Sequence, residues 1–290
     1  MISAYLIHIL ILIAIYAIVA IALQLCLGFS GLLNLGHISF FGIGAYTSAL
    51  LLLLGVPFIF CFLAAGIMAM IFGFILAIPT HKLKGDYLAL ATMGFSFVVY
   101  AVLLNWTELT RGPLGIPGIP KPSLFGFSFS SNFSFLILAA VIAVCSYFLI
   151  DRIVKSGFGK VFEGIRDDEL ATRVLGKNSF KMKSIALGVS AFFAGIAGCL
   201  YASYITFIDP SSFSMMQLIP VLLIVIVGGL ASLPGTIIAT FVLMSIPEAL
   251  RFVGFPSSVV GPMRQILYAV ILLLILIYKP KGFYGKVEME

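Results

Sequence analysis

Residues 4–27 read AYLIHILILIAIYAIVAIALQLCL, an apolar run without a single charged side chain. About 20 apolar residues in a helix cross the ~30 Å hydrocarbon core of a bilayer, so this stretch reads as a membrane span. Working outward, no charged residue occurs before Lys82, and runs of the same kind recur at Phe58–Ile78, Phe133–Ile150 and Ile266–Tyr278. With 62% hydrophobic and 10% charged residues, the 290-residue chain is a polytopic membrane protein. Backbone groups find no water in lipid, so each run is expected to be a helix.

Charges and helix breakers divide the chain into Ile2–Leu27, Ile38–Leu54, Phe58–Ile78, Tyr87–Leu104, Ser134–Ile153, Ser184–Phe207, Gln217–Ala231, Pro234–Leu250 and Arg264–Tyr278. The expected architecture is therefore an all-α helix bundle of about nine transmembrane helices, within a range of roughly eight to ten, forming a single domain over residues 1–290. The first run lacks a basic leader and a small-residue cleavage site, so it is expected to be a retained span rather than a secretory signal. In an alternating arrangement, one side collects Lys82, Lys84, the eight basic residues from Arg152 to Lys183, Lys279, Lys281 and Lys286. The other side holds Arg111, Lys121, Arg251 and Arg264. The richer side is expected to be cytoplasmic, which accounts for the net charge of +6 without invoking nucleic acid.

Two loops stand out. Residues 105–133 form a long external loop in which Pro113, Pro117, Pro120 and Pro122 among glycines exclude a regular helix. Residues 154–183 form a cytoplasmic loop, and 13 of the chain's 28 charged side chains fall between Asp151 and Lys183. Within it, Gly159–Gly176 can form a helix of about three turns with an apolar stripe of Phe162, Ile165, Leu170 and Val174. Glu163–Arg166 and Glu169–Arg173 have the spacing of helical ion pairs, and Gly176 suits a helix stop. So short a helix is marginal alone in water, which points to a partner surface that holds it.

The most polar membrane stretch is Gly28–Ser48, which carries Asn34, His37, Ser39, Tyr46 and Thr47 among five glycines. Polar groups at bilayer depth are costly unless they face protein or a watery cavity, so these five are the candidates to line a translocation pathway. Close helix packing is the alternative, because glycines let helices approach and hydroxyls bond across them. Small residues spaced by four at Ala191 and Gly195, and at Ala194 and Gly198, read as helix contacts, and Gly228–Gly229 as a helix-weakening turn. Cys26, Cys61, Cys145 and Cys199 lie in apolar runs without metal-like spacing and are expected to fill the core.

Nothing in the sequence arranges a catalytic group. There is no HExxH, GxSxG or phosphate-binding loop, and the three histidines are far apart, so an ATP-driven pump would borrow its motor from another chain. A stand-alone secondary transporter would call for carboxylates inside spans, yet Glu248 is the one acidic residue well inside an assigned span.

Several motifs in one order carry a resemblance: Gly31-Leu-Leu-Asn-Leu-Gly-His37 with Phe41-Gly-Ile-Gly-Ala-Tyr46, Leu83-Lys-Gly-Asp-Tyr-Leu-Ala89, Asn105-Trp-Thr with Arg111-Gly-Pro, Gly164-Ile-Arg-Asp-Asp-Glu169, Ala191-Phe-Phe-Ala-Gly195 and Gly228-Gly-Leu. Over nearly its whole length the chain resembles the LivM-type permease subunits of branched-chain amino acid ABC importers. The resemblance implies a bacterial or archaeal cytoplasmic membrane, a second, LivH-like permease, two ATPase subunits that carry ATP and Mg, and an extracytoplasmic substrate-binding protein. It implies no cofactor on this chain and no enzymatic activity of its own. A sister importer for urea or short amides shares the same motifs. Glu169, Ala171 and Gly176 are similar to the coupling loop of importer permeases, with Leu170 in place of an alanine and the glycine one position late. With Arg166, Asp167 and Asp168 they are the expected ATPase-coupling residues.

Overall fold

The structure is a computed structural model that describes residues 2–83, 85–124, 127–252, 257–279 and 282–285. Lys84, Lys281 and Lys286, and the side chains of Glu248, Arg251 and Arg264, lie outside the described residues. Nine apolar helices match the expected spans: α1 (Ile2–Gln24), α2 (His37–Leu53), α3 (Phe58–Thr80), α4 (Gly85–Asn105), then, after a one-turn helix α5 (Thr107–Thr110), α6 (Asn132–Lys155). The charged loop contributes α7 (Gly157–Asp167) and α8 (Glu169–Val174), followed by α9 (Ser179–Ile205), α10 (Leu218–Gly228), α11 (Leu233–Phe252) and α12 (Ser257–Tyr278). Among the described residues, α1, α3, α4, α6 and α9 are each long and apolar enough to cross a membrane unaided.

Connections rich in Lys and Arg meet at one end of the bundle, taken as its inner end. At the inner end, His81 after α3 meets Phe180 at the start of α9, ring to ring at 5.0 Å. There too the Gln24 amide donates to the Gly229 carbonyl at 2.7 Å, and the N–H groups of Phe283 and Tyr284 bond the last carbonyls of α10. At the outer end, the proline-rich loop pairs Ile116–Pro117 with Phe207–Ile208 beyond α9. Besides the one-turn α5, that loop holds only short pieces, a 3-10 turn at Gly112–Leu114 and two-residue strands at Ile116–Pro117, Ser123–Leu124 and Phe127–Ser128, so no long regular helix forms, as expected. Ile116 and Ile119 are buried, so the loop is packed onto the bundle rather than draped over it.

The core is built on α9, whose membrane stretch is 78% buried, against α2 and α3. The small residues explain how close these helices come. A Cβ on Gly44 would collide with the Gly195 backbone, one on Gly198 with the Phe41 carbonyl, and one on Gly195 would lie 2.5 Å from the Ala65 carbonyl. Lipid chains are as apolar as side chains, so such contacts gain from van der Waals packing and not from leaving water. Cys26, Cys61 and Cys199 fill this interior, whereas Cys145 is exposed on α6, contrary to expectation. Its helix lies at the edge of the bundle with an apolar outer face: only 22% of its membrane stretch is buried.

Substituting Gly198 by leucine is expected to lower stability by at least ~1–3 kcal/mol through overpacking. Gly94→Ala in α4, where a Cβ meets open space, should leave stability unchanged or slightly higher. Thermal unfolding of the two variants in mild detergent compares them directly.

Candidate functional site

The connection from α1 to α2 is not helical, although it is buried. Leu25–Phe29 widens into a π-turn, Ser30–Gly36 is irregular, and α2 begins only at His37. Irregular backbone survives at membrane depth only when its polar groups find partners inside the protein. The Leu32 N–H bonds the Cys26 carbonyl, and the Gly31 N–H bonds that of Leu27. Thr92 of α4 accepts the Leu35 N–H at 3.0 Å, and Asn34 accepts the Gly36 N–H at 3.0 Å. The Ser30 hydroxyl closes onto the Cys26 carbonyl at 2.6 Å.

One carbonyl of this connection is satisfied from the charged loop. Arg166, near the end of α7, reaches 3.0 Å to the Gly28 carbonyl while its Nε holds Asp167 at 2.8 Å. Gly31 lies under the Arg166 stem, 2.8 Å from its Cγ for a virtual Cβ, so both residues of the break nearest the loop touch one side chain.

The loop itself differs from the single helix expected over Gly159–Gly176. Asp168 takes extended backbone angles and caps a new helix, accepting the Leu170 and Ala171 N–H groups at 2.8 and 3.1 Å. A side chain that caps N–H groups favours the start of a helix over its interior, so the chain breaks there. The apolar stripe is split accordingly. Phe162 and Ile165 are buried under α7, while Leu170 and Val174 are 65% and 88% exposed on α8. Glu163 does not pair with Arg166, which is taken by Asp167 and Gly28; Glu169 does pair with Arg173, at 2.6 Å. Gly176, with φ of +78°, ends α8 as expected: its N–H bonds the Arg173 carbonyl and the Lys177 N–H bonds that of Thr172. Ala171 is exposed on α8.

Glu169 is the buried anchor of the loop. It bonds Arg173 and, at 2.8 Å, Lys183 in the first turns of α9, with both members of the latter pair only 7% exposed. Burial pushes its carboxyl up, but the hydrogen bonds and charges of Lys183 and Arg173 outweigh this and hold it below the usual carboxylate range.

Four of the five polar residues singled out in Gly28–Ser48 are buried between helices, and Thr47 is half-buried. His37 sits 3.1 Å from the Val19 carbonyl and 3.5 Å from Ser190, and Ser39 donates to Ser96 at 3.0 Å. Asn34 Nδ2 and the Tyr46 hydroxyl are buried without a hydrogen-bond partner. A cavity of ≈ 200 Å³ lies elsewhere, in the outer half, where α1, α9, α10, α11 and α12 meet. Its walls include His8, Tyr16, Tyr201 and Tyr268. Sequence reading did not find it, since these residues come from three distant helices; His8, a polar residue in an apolar span, was a visible trace.

Residues 5–276 match the family model described as branched-chain amino acid transport system / permease component. The chain belongs to this permease family. It is 38% identical over 92% of its length to the high-affinity branched-chain amino acid transport permease LivM of Escherichia coli, of which it covers 67%. It is 26% identical over 95% of its length to LivH of the same organism, covering 92% of that protein. A guanosine ABC transporter permease, NupQ of Bacillus subtilis, is 26% identical over 61% of the chain and is covered to 60%. No solved structure matches the chain significantly. The matched region takes in both the break after α1 and the charged loop, so the permease carries this arrangement within the family's own segment.

Lys183→Met strands one side of the Glu169 carboxylate and is expected to destabilise the permease by roughly 3–5 kcal/mol, less what Arg173 retains. Adding Glu169→Leu should restore most of the loss, because an apolar pair replaces a half-broken ionic one. The depressed carboxyl sets the sign with pH. The pair's contribution is full above the ordinary carboxylate range and disappears as pH falls through the lowered value, so the difference between wild type and Lys183→Met should shrink in acid. Thermal unfolding across pH reads both effects.

Proposed function

We propose that this permease is one half of the transmembrane pore of an ATP-driven importer for branched-chain amino acids. In this reading it sits in the cytoplasmic membrane beside a second, LivH-like permease. Two separate ATPase subunits bind ATP and Mg beneath it, and an extracytoplasmic binding protein delivers the amino acid to its outer face. The substrate class is that in the names of LivM and LivH, and the greater identity to LivM than to LivH or to the guanosine permease favours the LivM position.

The observation that carries the mechanism is the bond from Arg166 to the Gly28 carbonyl. Phe158, Leu170, Val174 and Leu175 present an apolar surface from 51% to 88% exposed on the cytoplasmic loop. Exposed apolar residues clustered on a charged loop mark a protein contact, here with an ATPase subunit. Phe162 and Ile165 seat α7 against the bundle, so a push on the loop moves Arg166, and Arg166 holds the irregular backbone between α1 and α2. Chemical energy from the ATPase thereby reaches a connection where the α-helical ladder is already interrupted.

Two variants separate docking from transmission. Leu170→Asp with Val174→Asp should abolish co-purification of the ATPase and ATP-driven leucine uptake while the permease still inserts. Arg166→Ala should keep the ATPase bound and hydrolysing within about twofold, yet cut leucine moved per ATP by about tenfold, the equivalent of ~1.4 kcal/mol. Unchanged uptake per ATP in Arg166→Ala would remove the bond from the mechanism.

A further inference from the structure

Gly94 stands apart from the other glycines of the long membrane helices. Every glycine of α2, α3 and α9 makes room for a neighbour, since a Cβ there would come within 3.0 Å of another element of the subunit. A Cβ on Gly94, in the middle of α4, would meet nothing within 4 Å, and the residue is exposed. Glycine weakens a helix interior, and in a membrane its use is to let another backbone approach closely. Among the described residues, no element of this chain takes up that room.

The face around Gly94 runs along the helix. Leu90, Phe97, Val98, Ala101 and Asn105 are exposed with it, at the spacings of three and four that make one stripe. The outward faces of α3 and α6 are of another kind. Ile67, Ile71 and Ile75 on α3, and Val141, Val144 and Phe148 on α6, present bulky apolar chains that suit lipid.

The opposite side of the same turns of α4 is polar. Thr92 and Ser96 stand two residues either side of Gly94, so they face the bundle, where Thr92 accepts the Leu35 N–H and Ser39 donates to Ser96. A Cβ on Gly36 would lie 2.7 Å from the Thr92 carbonyl and 3.2 Å from Asn34 Oδ1, which sets the Asn34 amide against α4. That side chain is 1% exposed, and its Nδ2 has no partner. A buried donor left unpaired costs stability unless another group reaches it. Of the outward-facing helices α3, α4 and α6, it is therefore α4 that backs onto the polar connection. A pathway shared by two permeases runs along polar groups, which puts the second permease on this side of the bundle and not on the lipid-like faces of α3 and α6.

We propose that the outward face of α4, centred on Gly94, is the surface against which the second permease packs, so that one helix backbone separates that subunit from the seam at Asn34. The proposal rests on the reading of this chain as half of a two-permease pore. LivH of Escherichia coli is 26% identical to this chain over 95% of its length, so a LivH-like subunit brings a related helix to α4 across a near two-fold axis.

The test uses the complete importer. Phe97→p-benzoylphenylalanine should cross-link to the second permease on illumination, whereas Phe148→p-benzoylphenylalanine, on the exposed face of α6, should not. Gly94→Trp should cut the amount of second permease recovered with this chain by about tenfold, the equivalent of ~1.4 kcal/mol, while Val144→Trp on α6 leaves it within about twofold. The Gly94→Trp chain should insert at the wild-type level, because the ring enters open space. Should it fail to insert, the cross-link from position 97 decides. Labelling of lipid alone from position 97, capture of the second permease from position 148 instead, or wild-type pairing of an inserted Gly94→Trp chain each overturns the face. A cross-link from position 97 to a second copy of this chain overturns the choice of partner. A wild-type chain that recovers no second permease would instead overturn the two-permease reading itself.

Discussion

Backbone without a helical ladder in a low-dielectric interior is the constraint around which the inner half of this permease is organised. Each unpaired N–H or carbonyl there costs several kcal/mol, so the connection from Leu25 to Gly36 exists only because other elements complete it. Thr92 recruits α4, Arg166 recruits the cytoplasmic loop, and Gln24 ties the end of α1 to the α10–α11 turn at Gly229. The π-turn at Leu25–Phe29 adjusts the end of α1 so that Ser30 and Leu32 fold back onto Cys26. A single irregular segment thus fixes the mutual position of four elements that are far apart in sequence.

The outer half follows a different rule. Here α2 and α9 run side by side with Gly44 against Gly195 and Gly198 against Phe41, and α3 closes over them through Ala65 and Ala69. Every one of these contacts depends on the absence of a side chain. Such packing is stiff, because a helix pair in backbone contact has no side-chain layer to rearrange. The turn at Gly228–Gly229 joins the two regimes. Gly228 lies against Gly235 of α11, and Gly229, with φ of +94°, lets the chain reverse where the Phe283 and Tyr284 N–H groups cap the open carbonyls of α10.

What the sequence shows plainly is what hydrophobicity alone decides. All nine apolar runs became helices, within three residues of their expected ends except that α9 begins five and α12 seven residues early, and the connections rich in Lys and Arg meet at one end of the bundle. The small-residue pairs of α9 were legible too, because spacing by four has one meaning on a helix. The cytoplasmic loop was half legible. Its amphipathic stripe ran on through Leu170 and Val174 in the pattern, but Asp168 prefers to cap N–H groups, and one local bond preference turned the stripe's second half outward. Periodicity sees the stripe and is blind to the cap. For Asn34, His37, Ser39 and Tyr46, polarity in a membrane span marked them as interior without saying whether a neighbouring helix or a passage lay beside them. The cavity was not legible at all, since its walls are ordinary Leu, Tyr and Met residues whose meeting depends on the packing of five helices.

The inner break and the outer cavity share two helices, and this decides how motion at one end must act on the other. α1 carries Ile9 and Leu12 at the cavity and leads into Gly28 at the break; α10 carries Pro220 at the cavity and ends at the turn that Gln24 grips. A helix of 23 residues is about 35 Å long and nearly rigid, so α1 spans from one site to the other as a rod. In the proposed cycle, a pull by Arg166 on the Gly28 carbonyl acts at the end of that rod, while the bond from Gln24 to Gly229 makes α10 follow. Moving together, the two helices would leave the cavity's shape nearly unchanged; moving apart, they would open it along the seam between Leu12 and Pro220. The Gln24 bond, buried and with its Oε1 lacking a second partner, is the element whose strength selects between these two outcomes.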